Sequence, residues 1–324
     1  MSDPQAVPRA PRIKRQLLDV HGILLLDKPV GLTSNRALQQ AKHLLLARKA
    51  GHTGSLDPLA SGLLPLCFGE ATKFSRFLLD ADKRYLTVVK LGVSTATYDA
   101  DGEVTATRPV TVERAAIERA LAAFRGEIEQ IPPSYSAVKI GGRRLYELTR
   151  AGQVVDCPPR RVTIYSIEIA DWQTPELTLD IRCSKGTYVR SLAHDLGEAL
   201  GCGGHVARLR RLESAGFLVD QAVTLEALSA LETPAQRAGL MLPGDRALDH
   251  LPAVTLTTNA AFYLRQGQTV SAPHDCPAGW VRLYQEGHEF LGLGEVLDDG
   301  RVAPSRLVCQ PMPTERLDRT KENG

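Results

Sequence analysis

Twelve residues, GHTGSLDPLASG at positions 51–62, constrain this chain more than any other stretch. They contain three glycines and one proline around a single carboxylate, that of Asp57. Gly51 and Gly54 allow backbone conformations that other residues avoid, and Pro58 pushes Asp57 toward an extended conformation. A segment bent this tightly is either a turn in which Asp57 caps a helix or a site that presents Asp57 to a ligand.

The first of these readings predicts a helix over PLASGLLPL, with Asp57 as its N-cap and Pro58 at its first position. Asp followed by Pro is typical of a helix start. This interpretation leaves His52, Thr53 and the additional glycines without a purpose. It therefore stays open as the structural alternative.

Three chemical alternatives have less support. The glycines fit neither GxGxxG nor the P-loop, and GSLDP is not a G-x-S-x-G nucleophile elbow. A metal site lacks the HxH, HExxH or repeated Asp spacing that such sites show. Its ligands would have to come from His52, Asp57, Asp27, Asp99 and Asp101. The sequence therefore predicts neither a metal nor an organic cofactor.

The composition indicates a soluble globular protein. Of 324 residues, 43% are hydrophobic and 23% charged, and no apolar run approaches the roughly 20 residues of a membrane span. The six cysteines are scattered without a CxxC pair, which argues against a zinc ribbon or a disulfide framework. We therefore expect reduced thiols, a cytoplasmic location and no association with membranes.

Positive charge is clustered although the net charge is only +2. The clusters lie in the N-terminal arm, between Lys139 and Arg161, and in RLRRLE at 208–213. Basic clusters on a near-neutral chain suit a polyanion that contacts one face. For each cluster taken alone, a solvated surface is the favoured interpretation.

Periodicity predicts an α+β organisation with several segments. Strand-like runs such as YLTVVKLGV alternate with amphipathic helices, the first of which we expect to be capped by Ser34 and to run to about Lys49. The predicted segments are a basic flexible arm (1–16), a main domain (17–247) with an irregular insertion (about 126–159), a small β-barrel domain (250–313) and a polar tail (314–324).

Four segments together resemble the TruB family of tRNA pseudouridine synthases. They are LLLDKPVGLTS, GHTGSLDPLASGLLPLCFGEATKFSRFL, DKRYLTVVKLG and CSKGTYVRSLAHDLG, in the order of the family's motifs. The resemblance implies a pseudouridine synthase fold, with a mixed, largely antiparallel central sheet flanked by helices and a C-terminal RNA-binding PUA domain. It also implies the isomerisation of uridine to pseudouridine at position 55, in the T-stem-loop of tRNA, without a cofactor.

The resemblance assigns roles to individual residues. Asp57 would be the catalytic aspartate, and Arg190 would pair with it and lower the pKa of its carboxyl. Tyr85 would stack on the target uracil and take the proton from C5. The residues completing the substrate site would be Tyr188, His52, Lys28 and Leu209. Each also has an ordinary structural explanation, such as a strand aromatic for Tyr85 or a core residue for Leu209.

The same resemblance points to tRNA as the partner. No protein partner is implied, and we expect a monomer. The residues expected to contact RNA are Lys139, Arg143, Arg144, Arg208 and Arg211. Two other functions stay open at this point: an RNA-binding protein whose pocket performs no chemistry, and a metal-dependent RNA hydrolase.

Overall fold

Strands and short helices alternate along the described residues, 16–136, 138–153, 157–273, 276–287 and 289–309 of a computed structural model. The first fourteen strands are β1 (Gly22–Lys28), β2 (Ala50–His52), β3 (Ala60–Phe68), β4 (Lys83–Leu91), β5 (Val93–Thr95), β6 (Val104–Thr107), β7 (Gly126–Gln130), β8 (Lys139–Ile140), β9 (Arg143–Arg144), β10 (Arg160–Gln173), β11 (Glu176–Cys183), β12 (Gly204–Ser214), β13 (Phe217–Leu218) and β14 (Val223–Thr224). The C-terminal strands are β15 (Ala253–Leu256), β16 (Val270–Ser271), β17 (Gly279–Gln285), β18 (Glu289–Val296) and β19 (Arg301–Leu307). The α-helices are α1 (Ser34–Leu44), α2 (Ser75–Leu79), α3 (Arg114–Ala122), α4 (Leu145–Arg150), α5 (Val189–Ala199), α6 (Leu225–Ala230), α7 (Pro234–Ala238) and α8 (Thr258–Arg265).

The larger sheet is mixed and mainly antiparallel. Its strand order is β14-β1-β3-β12-β4-β11-β10-β7, with β2 added beside β3 and β13 beside β12. Two pairs within it are parallel, β1 with β14 and β3 with β12. The parallel pair at the centre joins residues that are about 150 positions apart in the chain.

The segment PLASGLLPL contains a central strand and not a helix, so the prediction that Asp57 caps a helix is wrong. From Leu63 to Phe68 every residue is buried. Antiparallel pairing with β1 and parallel pairing with β12 enclose this run on both edges. A continuous apolar run with neighbours on both edges is typical of a sheet centre. The tertiary pairing therefore overrides the local helix-start signal of Asp57 and Pro58.

Helix α1 packs on the sheet but differs from its predicted limits. Its N-cap is Thr33, whose hydroxyl accepts a hydrogen bond from the Arg36 N–H at 3.2 Å. It ends at Leu44, before Lys49, because Leu46 adopts a left-handed backbone with φ of 49°. Its buried Ala37, Leu38 and Ala41 share a core with residues of β1, β3, β4 and α5. In the described part of the chain, no helix has the length and apolar character needed to cross a membrane.

The C-terminal strands form a second, curled sheet with its own core. Their order is β15-β17-β18-β19-β16, and α8 packs against them. Phe290 contacts Phe74 of the main body edge-on, with ring centroids 5.6 Å apart. The Tyr284 hydroxyl also donates a hydrogen bond to Asp245 at 2.7 Å. These contacts join the small sheet directly to the larger unit.

The predicted insertion contains the hairpin of β8 and β9 followed by α4. The polar tail at 314–324 lies outside the described residues, as does all of the basic arm at 1–16 except Gln16.

Candidate active site

A cleft of about 980 Å³ opens beside the GHTGSLDPLASG segment. Hydrogen bonds from two side-chain hydroxyls fix the backbone conformation of that segment. The Ser34 hydroxyl donates to Leu56 O at 3.0 Å and accepts from the Leu56 N–H at 2.7 Å. The buried Thr53 hydroxyl donates to Pro65 O on β3 at 3.1 Å. The backbone just before Asp57 is thereby held to α1 and to the sheet, and Asp57 lines the cleft.

One row of residues crosses the sheet on the cleft side. Strand pairing places Lys28 beside Gly62, Gly62 beside Arg211, and Arg211 beside Tyr85. Gly62 has a φ of 98°, and the Arg211 backbone lies so close that a Cβ at position 62 would be 2.3 Å from its carbonyl oxygen. The missing side chain lets β3 and β12 approach, which brings Arg211 and Tyr85 into the cleft wall.

Arg190 makes an ion pair with Asp57, as the resemblance implies. The Arg190 Nε lies 2.9 Å from Asp57 Oδ2. The guanidinium is almost entirely buried and has further partners: Nη1 donates to Thr97 O at 3.1 Å and lies 3.4 Å from Asp99 Oδ2, while Nη2 donates to Tyr135 O at 3.0 Å. Because 42% of the Asp57 side chain is exposed, the carboxylate faces the open cleft.

The net pKa of Asp57 is raised, although the Arg190 charge lowers it as predicted. Desolvation in the cleft favours the neutral acid and outweighs the opposing effect of the Arg190 charge on this pKa. The nearby carboxylate of Asp99 also raises it. The Arg190 charge thus makes the increase in the Asp57 pKa smaller than burial alone would produce.

The raised pKa of Asp57 predicts how the reaction rate depends on pH. If the reaction needs the Asp57 carboxylate, the rate falls with decreasing pH through an apparent pKa above that of a solvent-exposed aspartate. Asp99→Asn removes a like charge, so the acid limb of the rate profile should move to lower pH. The measurement is the single-turnover rate of both proteins between pH 4 and pH 8. An acid limb that stays in place or moves upward would contradict the assignment.

Burial also lowers the pKa values of Lys28 and His52. Desolvation lowers the pKa of Lys28 to about 8, and its Nζ donates to Pro29 O at 2.8 Å and Leu32 O at 2.7 Å. Desolvation likewise lowers the pKa of His52, which favours a neutral ring, and its buried Nδ1 has no hydrogen-bond partner. Lys28 thus holds the β1–α1 connection, while His52 lines the cleft.

Three more predicted residues line the same cleft: Tyr85, Tyr188 and Leu209. Burial raises the pKa of Tyr85. Its ring lines the cleft, where it could stack on a base, and its removal of the C5 proton stays a prediction. Tyr188 is the N-cap of α5, and its backbone exchanges two hydrogen bonds with the buried Gln130 side chain. Leu209 lies two residues before Arg211 on the same face of β12.

The residues predicted to contact RNA are placed differently from one another. Arg211 is only 1% exposed, its Nε donates to Leu63 O at 2.7 Å, and it lines the cleft, so its contact with RNA stays a prediction and would have to be made inside the cleft. Arg208 lies at the surface and pairs with Glu176 at 2.8 Å. Arg143 is exposed. The side chains of Lys139 and Arg144 are outside what the structure describes.

The metal alternative is not assembled by the fold. Asp27 is bound by both Nη atoms of Arg210, at 3.0 and 2.7 Å, and Asp99 is directed at Arg190. Over the described ranges, no three His, Cys, Asp or Glu side chains converge in a way that could hold a metal ion.

Two residues that shape the site were not predicted for it. Asp99 was considered only as a metal ligand, and Ser34 only as a helix cap. The acidic run YDADG at 98–102 is a signal for a carboxylate cluster. Nothing in the sequence indicates that Ser34 would bind Leu56, because that contact spans 22 residues.

Comparison with known proteins identifies the family. A model described as the N-terminal domain of the TruB family of pseudouridylate synthases matches residues 42–189. Two models of TruB C-terminal domains match residues 190–249 and 252–308. A protein named tRNA pseudouridine synthase B from Pseudomonas paraeruginosa is 52% identical over 300 residues, which is 92% of this chain and 99% of that protein. A protein of the same name from Nitrosococcus oceani is 52% identical over 90% of this chain and 95% of its own length.

The chain belongs to the TruB family.

Solved structures agree with this membership. The archaeal Nop10–Cbf5 complex of a box H/ACA particle contains a chain that superposes with a TM-score of 0.67 and 25% identity, covering 90% of this TruB-family chain and 86% of its own. A Cbf5–Nop10–Gar1 complex gives a TM-score of 0.67 at 27% identity, covering 91% of this chain and 86% of that one. The predicted fold class and the predicted isomerase class are both confirmed.

Proposed function

We propose that the protein isomerises uridine to pseudouridine in tRNA, at position 55 of the T-stem-loop, with Asp57 as the essential group. The observation that carries this is the ion pair between Asp57 and Arg190 in a cleft that Tyr85 also lines. The curated relatives are named tRNA pseudouridine synthases, which supports the substrate class. The choice of loop and position follows from the resemblance of the motifs.

The cleft suits an extruded nucleotide. Its volume is at the upper end of the range for small-molecule sites, roughly 300–1,000 Å³. A uridine stacked in folded RNA must leave the stack to reach Asp57, at a cost of a few kcal/mol. Stacking of the freed base on an aromatic ring, here Tyr85, offsets roughly 1–3 kcal/mol of this cost. Confinement keeps the base from escaping while it turns.

The reaction breaks the C1′–N1 bond and forms a C1′–C5 bond. C5 loses its proton to solvent and N1 gains one, so the product is an isomer of the substrate. No redox change or net hydrolysis takes place. An ionised carboxylate at the sugar is required whether it attacks C1′ or removes a proton from the sugar to give a glycal. Arg190 supports that ionised form, because its charge opposes the effect of burial on the Asp57 pKa.

The decisive test uses a T-arm hairpin RNA labelled with tritium at C5 of uridine 55. We expect the wild-type protein to release tritium and to form an equal amount of pseudouridine in RNA of unchanged length. The control RNA carries the label at another loop uridine and should release none. Shortened RNA would favour a hydrolase, and tight binding without tritium release would favour a binding protein.

The exposed insertion supplies a second prediction. We infer that Lys139, Arg143 and Arg144 contact phosphates, since they cluster in the hairpin of β8 and β9. Replacing all three by Gln should weaken RNA binding and reduce the slope of log affinity against log salt by about 2 in total. The matched control is the triple Gln variant at Arg108, Arg114 and Arg119, which are exposed residues of β6–α3. An unchanged slope in the insertion variant would contradict this placement.

A monomeric state and a cytoplasmic location stay predictions from the sequence.

A further inference from the structure

An unusual residue lies behind the active-site arginine. Tyr98, in the connection between β5 and β6, has a φ of 63°. Within the described residues, Leu46 and Ala215 are the other non-glycine residues with a positive φ. This conformation is uncommon for a bulky side chain and persists only where the surroundings impose it. Such outliers raise the question of what they hold in place.

The Tyr98 side chain stacks on His194. The two ring centroids are 3.9 Å apart and the planes are inclined by 9°. His194 lies on α5, one helical turn after Arg190. Its Nδ1 is buried without a hydrogen-bond partner, and the ring packs against Tyr98.

Both chain neighbours of Tyr98 hold Arg190. Thr97 O accepts from Arg190 Nη1 at 3.1 Å, and Asp99 Oδ2 lies 3.4 Å from the same nitrogen. The backbone between them is tied to β12, because Tyr98 O accepts from the Val206 N–H at 3.0 Å. Neither Tyr98 nor His194 lines the cleft. The stack therefore acts on the site through α5, which carries Arg190, and through the partners of Arg190.

We propose that Tyr98 and His194 form a positioning pair that aims Arg190 Nε at Asp57. The stack joins the β5–β6 connection to the helix that carries Arg190, so the guanidinium and two of its acceptors move as one body. Without the stack, Thr97 O and Asp99 can shift relative to α5, and the guanidinium can turn away from Asp57. The inference rests on the proposed role of the Asp57–Arg190 pair in the isomerisation.

The variants separate the ring from the backbone. Tyr98→Gly deletes the ring while favouring a positive φ, and Tyr98→Phe keeps the ring and removes only the hydroxyl. His194→Ala deletes the other ring at a helical position where Ala is well tolerated. Because the two rings form one contact, Tyr98→Gly combined with His194→Ala should be no worse than either single variant.

The first measurement is the single-turnover rate at saturating T-arm RNA, alongside the RNA dissociation constant measured in the Asp57→Asn background. We expect Tyr98→Gly and His194→Ala to lower the rate by about tenfold or more, since small misplacements of catalytic groups cost this much. Tyr98→Phe should stay within about twofold of the wild-type rate, and RNA affinity should change by less than about twofold in every variant.

The second measurement does not depend on activity. In ¹⁵N–¹H spectra of the free protein, the Arg190 Nε–H signal is assigned by its absence from Arg190→Lys. We expect its hydrogen exchange with water to be slow in the wild type and in Tyr98→Phe, and faster in Tyr98→Gly and His194→Ala. If the wild type released no tritium, the proposed function would fail, while this measurement would still decide the positioning role.

Several outcomes would overturn the proposal. Wild-type rate and exchange in both Tyr98→Gly and His194→Ala would show that the stack positions nothing. A Tyr98→Phe variant as slow as Tyr98→Gly would assign the effect to the hydroxyl. A loss of RNA affinity or of folded protein that accounts for the rate loss would reduce the pair to a general structural contact.

Discussion

Replacing Asp57 by Asn should lower the single-turnover rate of pseudouridine formation by on the order of 10⁴-fold, the loss that follows removal of an essential group in well-studied enzymes. The amide has nearly the same shape but carries no charge, so it neither attacks the sugar nor accepts its proton. Arg190 keeps its contacts to Thr97 O, Tyr135 O and Asp99, so the site should stay assembled. The rate is followed by tritium release from C5 of uridine 55.

The matched control is Asp101→Asn. Asp101 is an exposed carboxylate in the same acidic run, and it also raises the pKa of Asp57 through its charge. At neutral pH its loss should change the rate by no more than about twofold. RNA affinity should be retained in both variants. Tritium release by Asp57→Asn at the native rate would remove Asp57 from the chemistry and leave the cleft without its assigned catalyst.

The pairing of Asp57 with Arg190 was predictable only through the resemblance of motifs. The two residues are far apart in the chain, and no spacing rule joins them. The direction of the Asp57 pKa was not predictable, because it depends on how much water the folded cleft excludes. The structure shows that burial outweighs the neighbouring guanidinium.

Arg211 shows where charge clustering fails as a guide. The run RLRRLE was interpreted as one basic cluster that suits a polyanion, yet successive strand residues point to opposite faces. Arg210 binds Asp27 on one side, while Arg211 lies buried in the cleft wall on the other. The alternation is visible in the sequence, but which face is covered depends on pairing with β3, which is remote in the chain.

The segment after Asp57 also shows that pairing with remote strands can override a local sequence signal. Asp57 and Pro58 have the local signature of a helix start, and the neighbouring residues show no conflict with it. The outcome was decided by β1 and β12, which enclose the segment as a strand. Periodicity alone does not distinguish a short buried strand from a buried helix.

Gly62→Ala should destabilise the fold by about 4 kcal/mol, combining a disfavoured positive φ with overpacking against a neighbouring strand. A methyl group at this position would lie 2.3 Å from Arg211 O and 2.7 Å from Arg211 N. Backbone atoms at the sheet centre have little room to yield. The measurement is the free energy of unfolding from chemical denaturation of the full chain.

Two glycine controls separate the causes. Gly126 has a φ of 84° with nothing within 4 Å of an added Cβ, so Gly126→Ala should cost only about 1–2 kcal/mol of backbone strain. Gly51 has neither a positive φ nor a neighbour within 4 Å, so Gly51→Ala should change stability by less than about 1 kcal/mol.

The difference between Gly62→Ala and Gly126→Ala isolates the close approach of β3 to β12. That approach places Arg211 between Gly62 and Tyr85, and hence forms part of the wall of the cleft that Asp57 also lines. In the folded fraction of the Gly62→Ala variant, Arg211 and Tyr85 should be displaced. The rate of pseudouridine formation per folded molecule should therefore fall as well. If Gly62→Ala and Gly126→Ala proved equally stable, β3 and β12 would not be in this register. Gly62, Arg211 and Tyr85 would then not be neighbours across the sheet, and the described cleft wall would be wrong.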